Sequence, residues 1–386
     1  MRHRLGAGIL FAMQTKIIKI PDPAAVPVDL LKEAAAVVDA GGLVAFPTET
    51  VYGIACRVEA DSLQRLDQVK QRAADKRYTL HIADKEEIRR FVTHNPLRIR
   101  KLLDRAWPGP LTVVFELDDD ALAEQKRRWS EEVFETLYRE SRIGIRCPDH
   151  PVAAGLLHWT LHPVIAPSAN PADQPPATRA EQVLSHFDGK IDLVLDAGPC
   201  HYGQSSTVAR VRNLGLEILR EGVYSRQSLE DWARVQLLFV CTGNTCRSAM
   251  AEALCRSYLA RRLGCSIDDL ARNGYKVVSA GTADIVGMPA STGALAACAA
   301  KGVDIRSHRS RGLSASVVKD SDLTFVMEKA HRDAVVSMVP EAADTCLLLD
   351  PDREIEDPIG EPVEVFYRCA QQIDIAIEKR IGELVL

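Results

Sequence analysis

A cysteine and an arginine six positions apart carry the clearest chemistry in the chain, Cys241 and Arg247 in the run Cys241-Thr242-Gly243-Asn244-Thr245-Cys246-Arg247-Ser248. Val235 to Val240 before them is an apolar run that reads as a buried strand, and Ala249-Met250-Ala251-Glu252 after them opens a helical pattern. A strand feeding a short loop at a helix N-terminus leaves backbone N–H groups around a concavity, where they and the helix dipole favour an anion. The same field predicts a lowered thiol pKa, with Cys241 a thiolate near neutral pH. Arg247 can return over the loop and offer two phosphate oxygens a planar fork that lysine cannot reproduce. Sulfur attacking phosphorus then gives a covalent intermediate. Spacing alone is a weak signal, because a buried structural cysteine produces it too.

The surrounding residues add context. The segment VCTGNTCRS resembles the signature of the low-molecular-weight protein tyrosine phosphatases, a family that includes protein-arginine phosphatases and some arsenate reductases. Further matches follow in order: Ser279-Ala280-Gly281-Thr282, Ser307-His308-Arg309-Ser310-Arg311, and Asp357-Pro358. The resemblance spans residues 235 to 386. It implies Cys241 as nucleophile, a phosphate loop of Thr242, Gly243, Asn244, Thr245, Cys246 and Ser248 closed by Arg247, and Asp357 as general acid. Such an acid protonates the leaving atom and then activates water against the thiophosphate. No metal or cofactor is implied for this half, and the substrate is a phosphoprotein.

Two departures bear on that substrate. Thr245 stands where tyrosine-specific members usually carry a bulky aliphatic residue, and Ile359-Gly360 replaces the aromatic residues that usually follow the Asp-Pro pair. Losing those rings removes stacking walls suited to phosphotyrosine, while a threonine hydroxyl resembles the arginine-phosphatase members and suits a guanidinium. Phosphoarginine is therefore preferred to phosphotyrosine. For Cys246 two readings stay open, a reversible disulfide that shields Cys241, as the resemblance suggests, or a small residue packing the loop. Arsenate reduction would need a resolving pair, and Cys298, Cys346 and Cys369 are too scattered to suggest one.

In the first half a short amphipathic helix is expected from about Asp29 to Ala40, capped by Gly41-Gly42 and followed by the buried run Leu43-Val44-Ala45-Phe46. The stretch GGLVAFPTETVYG resembles the hallmark of the YrdC-like threonylcarbamoyl-AMP synthases. Lys70-Gln71-Arg72 with Lys76, Trp107-Pro108-Gly109-Pro110-Leu111-Thr112, Ile143-Gly144-Ile145-Arg146, Ala166-Pro167-Ser168-Ala169-Asn170, Ser206-Thr207-Val208 and Leu219-Arg220-Glu221-Gly222 follow in the family's order. The resemblance implies condensation of L-threonine, bicarbonate or CO2, and ATP into threonylcarbamoyl-adenylate and pyrophosphate, supplying a tRNA modification. With no covalent intermediate required, the protein must chiefly position two anions and neutralise a triphosphate. Arg72, Lys76, Arg146 and Arg220, with Lys70 nearby, are the cations for phosphates and carboxylate. Thr48, Thr50, Ser168 and Ser206 supply hydroxyls, Ala166 and Asn170 belong to the same binding run, and His81 matches a threonine-contacting position. Magnesium is expected with the triphosphate.

This half departs from its pattern as well. Ala73 replaces a proline, Arg77-Tyr78 a Pro-Leu, and Pro171-Ala172-Asp173 a Ser-Gly continuation, with Pro176 in place of a serine. Residues 118 to 141 read as an inserted, highly charged helix, either a solvated excursion or a tRNA-binding arm. A second reading therefore pairs a phosphotyrosine phosphatase with a catalytically silent nucleotide- or RNA-binding module.

The elements that position these residues belong to an α/β architecture in both halves. The first, residues 14–228, is expected as a YrdC-like twisted mixed sheet with an open cleft; the second, 235–386, as a small doubly wound parallel sheet with its site at the carboxyl end of the first strand. The polar stretch 225–234 divides them. At 386 residues, 46% hydrophobic and 26% charged, the chain can bury two cores. A net charge of −5 demands neither nucleic acid nor membrane, although tRNA or tRNA-modification proteins remain candidate partners. No apolar run is long enough to span a bilayer. Met1-Arg2-His3-Arg4 and the apolar residues to Met13 read as an extended start rather than a secretion signal. Ten cysteines without paired spacing suit a reducing cytoplasm, and no metal-ligand cluster stands out.

Overall fold

The computed structural model describes residues 14–71, 77–93, 95–212 and 215–386. Arg72 and Lys76, both expected near phosphates, lie outside the described residues. The contacts divide the chain into two compact units, one built chiefly from residues up to Leu229 and the other from Glu230 to Leu386 together with Asn95–Leu102.

The first unit is organised on β1 (Lys16–Lys19), β2 (Val44–Phe46), β3 (Gly53–Arg57), β4 (Thr79–His81), β5 (Leu111–Glu116), β6 (Arg142–Arg146), β7 (Val164–Ile165), β8 (Leu193–Asp196), β9 (Thr207–Arg212) and β10 (Gly215–Arg220). They form one ten-stranded sheet in the order β1-β8-β2-β3-β7-β4-β6-β5-β9-β10. Parallel pairs such as β4–β6 and β5–β9 alternate with antiparallel pairs such as β5–β6, so the sheet is mixed. The expected helix near Asp29–Ala40 spans Val28–Asp39, and its buried face of Leu31, Ala34, Ala35 and Val38 packs on β2 and β8. The insertion differs from expectation. It forms two helices, Asp119–Arg128 and Glu131–Leu137, separated at Trp129-Ser130. Ser130 caps the second helix by accepting from Val133 N, and Trp129 is held in a stack on Phe91, 5.0 Å between centroids.

The second unit carries β11 (Val235–Cys241), β12 (Tyr275–Gly281), β13 (Leu323–Val326) and β14 (Cys346–Leu348) in the order β12-β11-β13-β14, every pair parallel. Alternation along β11 explains its unbroken apolar sequence. Val235, Leu237 and Phe239 enter one core with the helices Arg247–Leu263 and Val363–Leu384, while Leu238 and Val240 enter another with Val326 and Val335. Each such side chain stabilises the fold by about 1.5–3 kcal/mol on burial. The chain leaves β11 for β12 on one side and later returns to β13 on the other, placing a topological switch point at the end of β11. The polar stretch 225–234 contains the helix Arg226–Trp232. Among the described residues no helix is long and apolar enough to cross a membrane.

Candidate active sites

In the first unit, sheet register assembles a cleft floor from residues far apart in sequence. Arg146, the last residue of β6, lies opposite His81 on β4 and Thr112 on β5, and Thr112 lies opposite Val208 on β9. All four line a cavity of about 430 Å³, together with Thr48, Lys70, Arg77, Ala166, Ser168, Asn170, Ser206 and Arg220. The loop carrying Ser168 is bound to the strand hallmark by a bridge to Gly53 and by Ala169 N donating to Tyr52 O at 2.7 Å.

These cations are engaged in different ways. Arg146 is buried and donates to Glu49 Oε1 (2.7 Å), Thr50 Oγ1 (2.7 Å) and Thr48 Oγ1 (3.4 Å). Thr50 is absent from the cavity lining and instead holds Arg146 from behind. Lys70 is buried and donates to the carbonyls of Ser168 and, at 2.6 Å, Asn170, which makes it a strut for that loop. Arg220 donates to Ser206 O at 2.8 Å and has no ion pair among the described residues; burial and the Arg146 charge lower its pKa. Gly222 permits that approach, since a Cβ there would meet Ser205 O at 2.2 Å.

His81 is neutral. Burial and then the Arg146 charge push its pKa down to about 3. Its Nδ1 lies 3.1 Å from Thr79 O, a carbonyl that can only accept, so Nδ1 carries the proton and Nε2 is left as an acceptor. Asn170 donates to Pro171 O and Gln174 O, while its buried Oδ1 has no partner among the described residues. Arg77, which lines the cavity, was not a site candidate in the sequence reading, and neither was Glu49, the buried partner of Arg146, although it sits inside the quoted hallmark between two residues singled out.

In the second unit Cys241 ends β11, and its buried sulfur lies 2.9 Å from Ser248 Oγ and receives Asn244 N at 3.3 Å. Asn244 takes a left-handed backbone (φ 54°) and organises the loop. Its Nδ2 donates to Ser248 Oγ (2.9 Å) and Ser279 Oγ (2.8 Å), and its Oδ1 accepts from Arg311 N (2.9 Å). Because Ser248 Oγ accepts from Asn244, its own proton is available to the sulfur. Gly281 lets β12 approach the loop, as a Cβ there would lie 2.6 Å from Thr242 O. The motifs Ser279–Thr282 and Ser307–Arg311 are thus the loop's scaffold.

The lowered thiol pKa expected from the loop's field is opposed by burial. Burial pushes the Cys241 thiol above its ordinary value, against the pull of Ser248, Asn244 and Arg247. Arg247 is buried and donates to Glu328 Oε1, Ile355 O (2.9 Å) and Asp357 Oδ2 (2.5 Å). Its Nε has no hydrogen-bond partner among the described residues. The arginine and the expected general acid are therefore brought together as an ion pair. Glu328 and His331 were not legible beforehand; His331 Nε2 lies 2.9 Å from Thr242 Oγ1. Cys246 donates to Ser291 Oγ at 3.1 Å, and all ten cysteines are free thiols. Thr245 Oγ1 has the Cys246 sulfur, at 3.7 Å, as its one side-chain partner among the described residues.

Comparison with known proteins agrees with this two-site geometry. Residues 36–222 match the Sua5/YciO/YrdC family model, described as telomere recombination, and residues 236–385 match the model for low molecular weight phosphotyrosine protein phosphatase. A threonylcarbamoyl-AMP synthase of Bacillus subtilis is 33% identical over 201 residues, 52% of this chain and 55% of that protein. The chain thus spans only about half the length of that relative. The Cellvibrio japonicus threonylcarbamoyl-AMP synthase is 35% identical over 155 residues, 40% of this chain and 76% of that one. The structure of P. abyssi Sua5 complexed with L-threonine aligns with 22% identity and a TM-score of 0.50, covering 69% of this chain and 92% of that one, a likeness of fold. The chain belongs to the threonylcarbamoyl-AMP synthase family through its first half, and carries a low-molecular-weight phosphatase domain in its second.

Proposed function

We propose that the chain is a bifunctional enzyme: its first unit makes L-threonylcarbamoyladenylate from L-threonine, bicarbonate and ATP, and its second is a Cys-dependent protein phosphatase acting on phosphoarginine. The first assignment is carried by the rung His81–Arg146–Thr112 facing a cavity that also holds an Arg220 without a carboxylate partner among the described residues. Positioning of anions is what this chemistry requires. Arg220 binds phosphate, the acceptor Nε2 of His81 takes a proton-bearing group of threonine, and the carbamate formed on the threonine nitrogen attacks the α-phosphorus to expel pyrophosphate. Asn170 Oδ1 and the Asp173 carboxylate are the lining oxygens that fit a magnesium ion carried in by the triphosphate, where it would neutralise phosphate charge.

The second assignment is carried by a sulfur that receives two donors beside a buried arginine. An arriving phosphoryl group draws Arg247 from Asp357 and takes the thiol proton on one of its oxygens. Sulfur attacks phosphorus, the bond to the leaving atom breaks, and Asp357, released from Arg247 and supplied with a proton from water, protonates that atom. Water activated by Asp357 then releases inorganic phosphate from the thiophosphate. A nearly free Thr245 hydroxyl and the non-aromatic Ile359-Gly360 favour a guanidinium over a phenol ring.

Pyrophosphate release that depends on threonine, bicarbonate and ATP tests the first half; its absence in folded protein leaves a silent module. Matched phosphoarginine and phosphotyrosine peptides test the second. Thr245→Ile should shift the ratio of kcat/KM toward phosphotyrosine about tenfold, and an unchanged ratio removes the case for phosphoarginine.

A further inference from the structure

Arg77 lines the first-unit cleft at a place where the family pattern has proline, and Glu140, the acidic side chain it meets, stands on the last turn of the charged insertion. Several features fix that meeting. Tyr78 OH donates to Asp67 Oδ1 at 2.7 Å, which anchors the residue beside Arg77. Glu140 and Ser141 both adopt a left-handed backbone, φ 53° and 60°, and Leu117 N donates to Ser141 O at 2.9 Å. Two successive non-glycine residues in that region are uncommon and persist only when the surroundings impose them. The insertion is itself docked, through the Phe91–Trp129 stack and through Tyr138 OH, which donates to Phe91 O at 3.0 Å. Glu140 is thus held out toward Arg77 by the framework.

We propose that Arg77 is a phosphate-binding residue of this cleft, restrained by Glu140 and transferred to the nucleoside triphosphate when it binds. The side chains are 34% and 64% exposed, so water screens the pair. A phosphate group carries more charge than one carboxylate and accepts the arginine fork in two places. The neighbouring cations leave room for this role. Lys70 is committed to backbone carbonyls and Arg146 to Glu49, whereas Arg77 meets an acid that lies at the solvent side.

The inference rests on the synthase reading, and titration calorimetry of the full chain with ATP and, separately, with L-threonine distinguishes the two. Arg77→Gln should weaken ATP about tenfold and leave threonine affinity within about twofold. Glu140→Gln, an exposed and structurally mild change, should tighten ATP about threefold by releasing the arginine. ATP binding that is unchanged in Arg77→Gln overturns the proposal while leaving the synthase reading intact. Equal weakening of both ligands overturns it too, since that marks a structural role. Wild-type protein that is folded and binds no ATP removes the synthase reading and this inference with it.

Discussion

Two buried arginines, one in each unit, show how the same side chain is prepared for different work. Arg146 and Glu49 have side chains only 7% and 6% exposed, and Thr48 and Thr50 complete the arginine's contacts. Arg247 is 2% exposed, but its acidic partners Glu328 and Asp357 are 31% and 37% exposed. The first pair is sealed and behaves as part of the framework, its charges balanced in place. In the second the acids can return to water at little cost, so the guanidinium is available for exchange. Positioning chemistry suits the sealed arrangement, and a covalent phosphoryl transfer suits the exchangeable one.

The largest effect that would break this contrast comes from Cys241→Ser. Phosphopeptide hydrolysis should fall by on the order of 10⁴-fold or more, while threonine-dependent pyrophosphate release stays unchanged; residual hydrolysis of a few per cent would falsify the nucleophile assignment. Exchanging the arginines probes the comparison directly. Arg146→Met leaves Glu49 buried and uncompensated and should destabilise the first unit by about 3–5 kcal/mol, read in denaturant unfolding. Arg247→Lys should instead lower phosphatase kcat/KM by about 10²–10³-fold, with little change in unfolding. Equal stability losses in both variants would erase the distinction.

A smaller effect follows from His81. Its folded pKa of about 3 lies below the ordinary 6.5, so between those values the unfolded chain binds a proton that the folded one refuses. Stability from this residue is therefore complete above about pH 6.5 and declines as pH falls, by about 2 kcal/mol at pH 5. His81→Gln should flatten that slope in urea titrations at pH 7 and pH 5. The mildest change is Ser248→Ala. With its hydroxyl gone the Cys241 pKa rises further, the alkylation profile moves toward alkaline pH, and turnover drops about tenfold. A profile that stays in place would mean that the Ser248 contact does not hold the anionic sulfur.

Much of the second site was legible because it is local. Val235 to Ser248 is one strand, one loop and one helix start, and the residues that bear on the sulfur lie within seven positions of it. The partners of Arg247 were another matter. Glu328 and Asp357 lie 81 and 110 residues away, and no spacing rule joins them to the loop. The first site depends on register throughout, since His81, Arg146 and Thr112 meet only because β4, β6 and β5 are neighbours. The insertion shows the same limit. Its charged sequence reads as a single helix, and the break at Trp129 accompanies a stack on Phe91, 38 positions earlier.

Sequence by itself determined the two domain types, the strand, loop and helix start around Cys241 and the kinds of residue each proposed chemistry would need, because those signals are carried by short runs whose local conformation follows from composition. Tertiary structure alone decided which charges are sealed and which can exchange, that Thr50 and Lys70 brace their neighbours, and that burial pushes the Cys241 thiol up. Burial and charge pairing are properties of what the rest of the chain places around a side chain, and desolvation there can outweigh the field that the loop itself supplies.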